Sequence, residues 1–163
     1  MKVTRNATYA LSPDDVLAII TDEEFQEEKC RATYAVDYAV SVRGGVGRAV
    51  VQTERTMPTE HIPAFALAFI GNRFTIHETQ SWSGPDAAGG YEAVLKLHVE
   101  GAPMTGQGIR RLTSNGDGGS RDQIRVEIHA AIPLIGRKVE ELAAPMVAAA
   151  AEIETELLAG RGQ

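Results

Sequence analysis

The sequence predicts an α+β fold, a curved seven-stranded antiparallel sheet with a long C-terminal helix lying across it. Three observations lead there. Through most of Tyr34 to Ala130, apolar residues recur at every second position in segments separated by turn residues, the period of half-buried strands. From Ile135 to Leu157 the spacing changes to threes and fours, one stripe of an amphipathic helix. The 163 residues, 44% hydrophobic and 23% charged, suit a single domain with its own core, and no linker divides them.

Lys2 to Ala10 is the first strand, with Val3, Ala7 and Tyr9 on one face. Ser12-Pro13-Asp14-Asp15 starts a helix: the hydroxyl caps free amides, proline suits the first position, and the carboxylates sit at the positive end of the dipole. Thr21 to Glu24 resembles a capping box and starts a second short helix. Tyr34, Val36, Tyr38, Val40 and Val42 alternate along the second strand. Gly44-Gly45-Val46-Gly47 turns the chain, and Ala49 to Met57 returns as the third strand, ended by Pro58. His61 to Ile70 is apolar but irregular, a short helix or an ordered loop.

Phe74, Ile76, Glu78, Gln80 and Trp82 share one face of the fourth strand. Tyr91, Ala93, Leu95, Leu97 and Val99 share one face of the fifth. Met104 to Thr113 is the sixth, where Gly106 and Gly108 favour a bulge and leave the facing open. The turn around Asn115 to Gly119 leads to the seventh, with Ile124, Val126, Ile128 and Ala130 on one face. In the last helix the stripe is Ile135, Val139, Leu142, Met146, Ala149, Ile153 and Leu157, while Glu152, Glu154 and Glu156 fall on other faces. Pro145 predicts a kink, and Gly160 to Gln163 is expected to fray.

Composition excludes several functions. A net charge of −6 without a Lys/Arg run disfavours nucleic acid and anionic membrane surfaces as partners. No apolar run reaches the roughly 18 residues of a membrane span, so stable insertion is not expected. The polar Met1 to Tyr9 is no signal peptide, which makes the cytoplasm the default location. Cys30 is the only cysteine and reads as a structural thiol. His61, His77, His98 and His129 fall in no metal-binding pattern, so neither a metal nor a cofactor is expected. His77 and His98 are expected as neighbours on the solvent side of adjacent strands. There is no GxSxG elbow, and the glycines from Gly44 to Gly47 join strands rather than cradle a phosphate.

Glu78 is the residue with chemical potential. It shares a face with Phe74, Ile76 and Trp82. Turned inward, a carboxyl in an apolar surround has a raised pKa, the setting of a general acid or a ligand anchor. Arg110 shares a face with Met104 and Leu112 and is the candidate partner. The opposing reading has these strand ends bending so that both groups reach water.

One strand, two short helices, six meandering strands and a long final helix resembles the START-like, Bet v 1-like helix-grip superfamily (SRPBCC) over Lys2 to Leu158. The segment Arg125 to Glu140, RVEIHAAIPLIGRKVE, carries the likeness best. Within the superfamily the chain is similar to the uncharacterised actinobacterial group DUF2505. The resemblance implies an internal cavity for a small hydrophobic molecule such as a lipid, isoprenoid or polyketide-like compound, and a carrier or sensor as its user. It implies no catalytic residue. Small residues at Ala143 and Ala148 to Ala151 would widen such a cavity, whereas Phe65, Phe69, Phe74, Trp82, Tyr91 and Met146 would be the side chains to fill it. The expected ligand contacts are Phe74, Ile76, Glu78 and Trp82 on the fourth strand, and Leu95 and Leu97 on the fifth. Met104 and Arg110 on the sixth strand, with Leu142 and Met146 on the helix, complete the wall. Phe65 and Phe69, four apart, would form an apolar lid on one helical face, or else pack permanently on the core. Two other functions stay open: a cyclase or hydrolase using Glu78 and Arg110, and a protein-interaction module such as a homodimer.

Overall fold

From the second strand to the seventh, each pairs with its neighbour in sequence, and the first pairs with the seventh. The computed structural model describes residues 1–45 and 47–162, so Val46 of the first hairpin turn and Gln163 lie outside the described residues. Strand β1 (Lys2–Tyr9) is followed by helices α1 (Pro13–Ile20) and α2 (Glu23–Ala32). Then come β2 (Asp37–Arg43), β3 (Val50–Met57), helix α3 (Ala64–Ile70), β4 (Phe74–Ser83), β5 (Tyr91–Glu100), β6 (Met104–Ser114), β7 (Ser120–Ala130) and helix α4 (Gly136–Arg161). The strands form one antiparallel sheet in the order β1-β7-β6-β5-β4-β3-β2. Among the described residues no helix is long and apolar enough to cross a membrane.

Helix α1 starts as the sequence predicts, with the Ser12 hydroxyl accepting from the Asp15 amide. Helix α2 differs. Its cap is Asp22, whose carboxylate accepts from the Phe25 amide, while Thr21 turns its hydroxyl back to the Leu17 carbonyl and closes α1. Two helices separated by two residues leave Thr21 committed to the first. Tyr34 and Val36 lie outside β2 and are exposed, because Tyr34 adopts a positive φ of 66° that breaks the alternation.

No bulge occurs in β6. Pairing runs without interruption through Gly106 and Gly108 on both sides, which turns Met104, Arg110 and Leu112 to the face that carries Leu95 and Val126. The glycines serve close packing instead. A Cβ on Gly108 would stand 1.9 Å from the Arg125 carbonyl oxygen. Gly108→Ala should therefore lower stability by about 1–3 kcal/mol through backbone displacement. An unchanged denaturation midpoint would refute that close approach.

Helix α4 runs through Pro145 and on past Gly160 to Arg161, so the expected fraying at Gly160 is not seen; Arg161 is tied to Glu28 of α2. Its buried line is Gly136, Ala143, Glu154 and Leu158, displaced by about one residue from the predicted stripe. Leu158, not Leu157, is fully buried, and Glu154 faces inward.

Side-chain size divides the interior. At one end of the sheet Val16, Ile20 and Phe25 pack with Tyr91, Leu112 and Leu158 into a solid core. Toward the other end, the alanines of α4 leave part of the sheet uncovered, with Leu142, Met146 and Ile153 bordering the gap.

Candidate functional site

That uncovered region is a cavity of about 660 Å³ between the sheet and α4. The volume falls within the range of small-molecule sites. Nine of the twelve residues expected at a ligand line it: Phe74, Ile76, Glu78, Leu95, Leu97, Met104, Arg110, Leu142 and Met146. Ala143, Ala149, Ala150 and Ala151 make up much of the helical wall, so the thin side chains do open the space. Tyr34, 76% exposed, and the half-exposed Met146 mark where the cavity meets solvent, beside Pro58, His61 and Ile62.

Three of the expected contacts lie elsewhere. Phe65 and Phe69 are partly exposed and do not line the cavity; Phe65 sits 5.6 Å below the Lys138 ammonium instead. Within α3 it is Ala66 that turns inward, so the two phenylalanines neither line the cavity nor pack as core. Trp82 is buried in the solid core, its indole N–H donating to Gln80 at 3.2 Å.

The predicted Glu78–Arg110 pair does not form. Arg110, 2% exposed, grips Asp122 with two hydrogen bonds of 3.0 and 2.7 Å and also pairs with Glu154. Its guanidinium lies 5.7 Å from the Trp82 ring centre. Glu154 in turn meets the Lys29 ammonium at 2.7 Å. Lys29 reaches Glu78 at 3.0 Å, and Glu78 faces Arg55 at 3.5 Å. The Tyr9 hydroxyl donates to Asp122, and Gln80 donates to Glu78 at 2.8 Å. Thus Asp122, Arg110, Glu154, Lys29, Glu78 and Arg55 form one chain of alternating sign at the boundary between solid core and cavity.

Reasoning from sequence missed Lys29, Arg55, Asp122 and Glu154. A signal existed for each. Arg55 has the parity of Val51 and Thr53, and Asp122 the parity of Ile124 and Val126. Lys29 is four residues from Phe25, and Glu154 four from Leu158, on buried helix faces. A charge in register with a buried apolar row is the mark of a buried ion pair.

The electrostatics invert the expectation for Glu78. Burial alone would raise its pKa, but Lys29 and Arg55 outweigh burial and hold it below the ordinary carboxylate value. Burial also opposes ionisation of Glu154, yet Arg110 and Lys29 bring its pKa down to about 2. Burial would lower the pKa of Lys29, but Glu154 and Glu78 raise it, and Asp122 and Glu154 do the same for Arg110. The burial-raised Cys30 thiol is kept neutral.

A depressed folded-state pKa stabilises the fold above the ordinary carboxylate range, and that stability is lost as pH falls toward the folded value. The stability should therefore hold near neutrality and decline as pH drops from 4.5 toward 2. Urea midpoints at about pH 6 and about pH 3 test this, and Glu154→Gln should weaken the acid dependence. A flat wild-type profile would contradict the pairing of Glu154.

His77 and His98 face each other across β4 and β5 with ring centres 5.7 Å apart. His77 also meets Glu54 and Glu100 on the outer face. Among the described residues no group of three His, Cys, Asp or Glu side chains is arranged to hold a metal ion.

The family model described as "Protein of unknown function (DUF2505)" matches residues 4–160. No curated protein sequence matches the chain. Among solved structures, it is similar to a START superfamily protein from Mycobacterium smegmatis, with 14% identity, a TM-score of 0.59, and 99% of this chain and 96% of that one covered. It is also similar to the Zhui aromatase/cyclase from Streptomyces sp. R1128, at 11% identity and a TM-score of 0.61, covering 99% and 93% of the two chains. A norcoclaurine synthase point mutant from Thalictrum, in complex with a transition-state analogue, shares 13% identity and a TM-score of 0.56 over 99% and 96%. At these identities the likeness concerns the fold.

Proposed function

The chain belongs to the DUF2505 family and has the START-like helix-grip fold, and from that premise we propose that it holds a small hydrophobic ligand in its internal cavity, as a carrier or sensor. The observation that carries this reading is the cavity itself, about 660 Å³ with apolar walls on both the sheet and α4. Apolar ligands gain roughly 25 cal/mol for each Å² they remove from water, so a hollow of this kind supplies affinity without further chemistry. Leu95, Leu97, Met104, Leu142 and Met146 are the contacts for the ligand's apolar body. A lipid, an isoprenoid or a polyketide-like compound has suitable chemistry.

The ion pairs favour holding over turnover. Proton transfer needs a group that exchanges near the working pH. Through the neutral range Glu78 and Glu154 stay deprotonated, while Lys29 and Arg110 stay protonated. Titration with a lipophilic fluorescent dye, together with native mass spectrometry of the freshly purified protein, tests the proposal. Saturable binding of one dye per chain, displaced by lipids, is expected. Absence of dye binding together with a bare mass would end it.

A further inference from the structure

Resting on that reading, we propose that the preferred ligand ends in a single neutral oxygen, a hydroxyl or carbonyl seated beside Arg55, and that the corresponding carboxylate is rejected. The buried ion chain carries three anions, Asp122, Glu154 and Glu78, against three cations, Arg110, Lys29 and Arg55. Its charges cancel. Its two ends differ, however. At Asp122 the chain is closed, because both carboxylate oxygens accept from Arg110 and one also accepts from Tyr9.

At Arg55 the chain is open. This side chain is 4% exposed and lines the cavity. Its Nη1 donates to the Thr33 hydroxyl at 3.0 Å, its Nη2 stands 3.5 Å from Glu78, and its Nε has no acceptor among the described residues. That Nε is shielded from the cavity, so the donor open to a ligand oxygen is Nη2, which has only the long contact to Glu78, and a closer acceptor there would be favourable.

Charge balance selects the kind of oxygen. A carboxylate would add a fourth anion against three cations, in an apolar hollow and beside Glu78, which already shares Arg55. A hydroxyl or carbonyl brings the lone pair without the charge. The apolar body then lies along Leu97, Val99, Met104 and Ile128, while the remaining carboxylate of the lining, Glu141, is exposed and paired with Arg137.

Dodecanol, dodecanoate and dodecane, competing for the bound dye at about pH 8 where the acid is ionised, separate the possibilities. Dodecanol should bind roughly tenfold or more tightly than either of the other two. Glu78→Gln, close in shape, leaves one excess positive charge and should reverse the order so that dodecanoate binds best. Dodecanoate matching dodecanol on the wild-type protein, or dodecane matching it, would overturn the proposal. An unchanged order in Glu78→Gln would overturn it as well. Should that variant fail to fold, the wild-type ranking decides alone. A protein that binds the dye but ranks the probes otherwise retains the cavity function and loses only this preference. A protein that binds neither dye nor probe loses both.

Discussion

Replacing Arg110 with methionine is expected to cost about 3–5 kcal/mol, because it leaves the buried Asp122 without a cation and Glu154 with only one. Asp122 is 2% exposed and Glu154 is 4% exposed, so both carboxylates are largely withdrawn from bulk water. Lys29 still meets Glu154, but Asp122 keeps only the Tyr9 hydroxyl. Such a loss is comparable to the whole stability of many domains, about 5–15 kcal/mol. Urea unfolding followed by circular dichroism gives the number. Arg111→Met is the contrast. Arg111 also pairs with a carboxylate, Glu92 at 2.7 Å, but both partners are exposed. Its expected cost is about 0–1 kcal/mol. Adding Asp122→Asn and Glu154→Gln to Arg110→Met should recover part of the loss, since neutral amides tolerate burial better than unpaired charges. A cost below about 1 kcal/mol for Arg110→Met would mean that the ion chain does not hold the fold together.

Ala150→Trp should weaken ligand binding sharply while leaving the fold intact. Ala150 is half-buried on α4 and lines the cavity. An indole there fills empty space rather than displacing packed atoms, so the expected change in stability is between zero and a gain of about 1 kcal/mol. The affinity for a lipophilic dye should fall by about a hundredfold, near 2.7 kcal/mol. Ala148→Trp serves as the control, because Ala148 is exposed on the same helix and does not line the cavity. It should leave binding unchanged. Dye affinity retained in Ala150→Trp would place the binding site outside the cavity.

Legibility in the sequence followed the range of the interactions. Strand facing in β4, β5 and β7 was readable because alternation is a property of neighbours along the chain. The same parity places Glu78 inward without naming its partner. Helix facing was less secure. A slip of one residue in the α4 stripe put Glu154 outside, because an alanine-rich segment gives little hydrophobic contrast between faces. The lid formed by Phe65 and Phe69 failed for a similar reason. Their spacing defines one face of α3 but not the direction in which that face points. The bulge in β6 failed because glycine satisfies two requirements, extra conformational freedom and close approach, and only the position of β7 distinguishes them.

The sequence by itself determined the order of elements, the antiparallel meander and the alanine-rich stretch of the last helix, since periodicity and side-chain volume are local quantities, but it left open whether large side chains fill the space beside that helix. The tertiary structure alone decided which charge meets which. Lys29 arrives on α2, Arg55 on β3, Arg110 on β6 and Glu154 on α4, and only the packing of those helices over the sheet brings them within 4 Å of their partners. Coulomb energy in a poorly solvated interior depends steeply on that distance. Glu78 therefore changed from a candidate acid with a raised pKa to a paired anion with a lowered one.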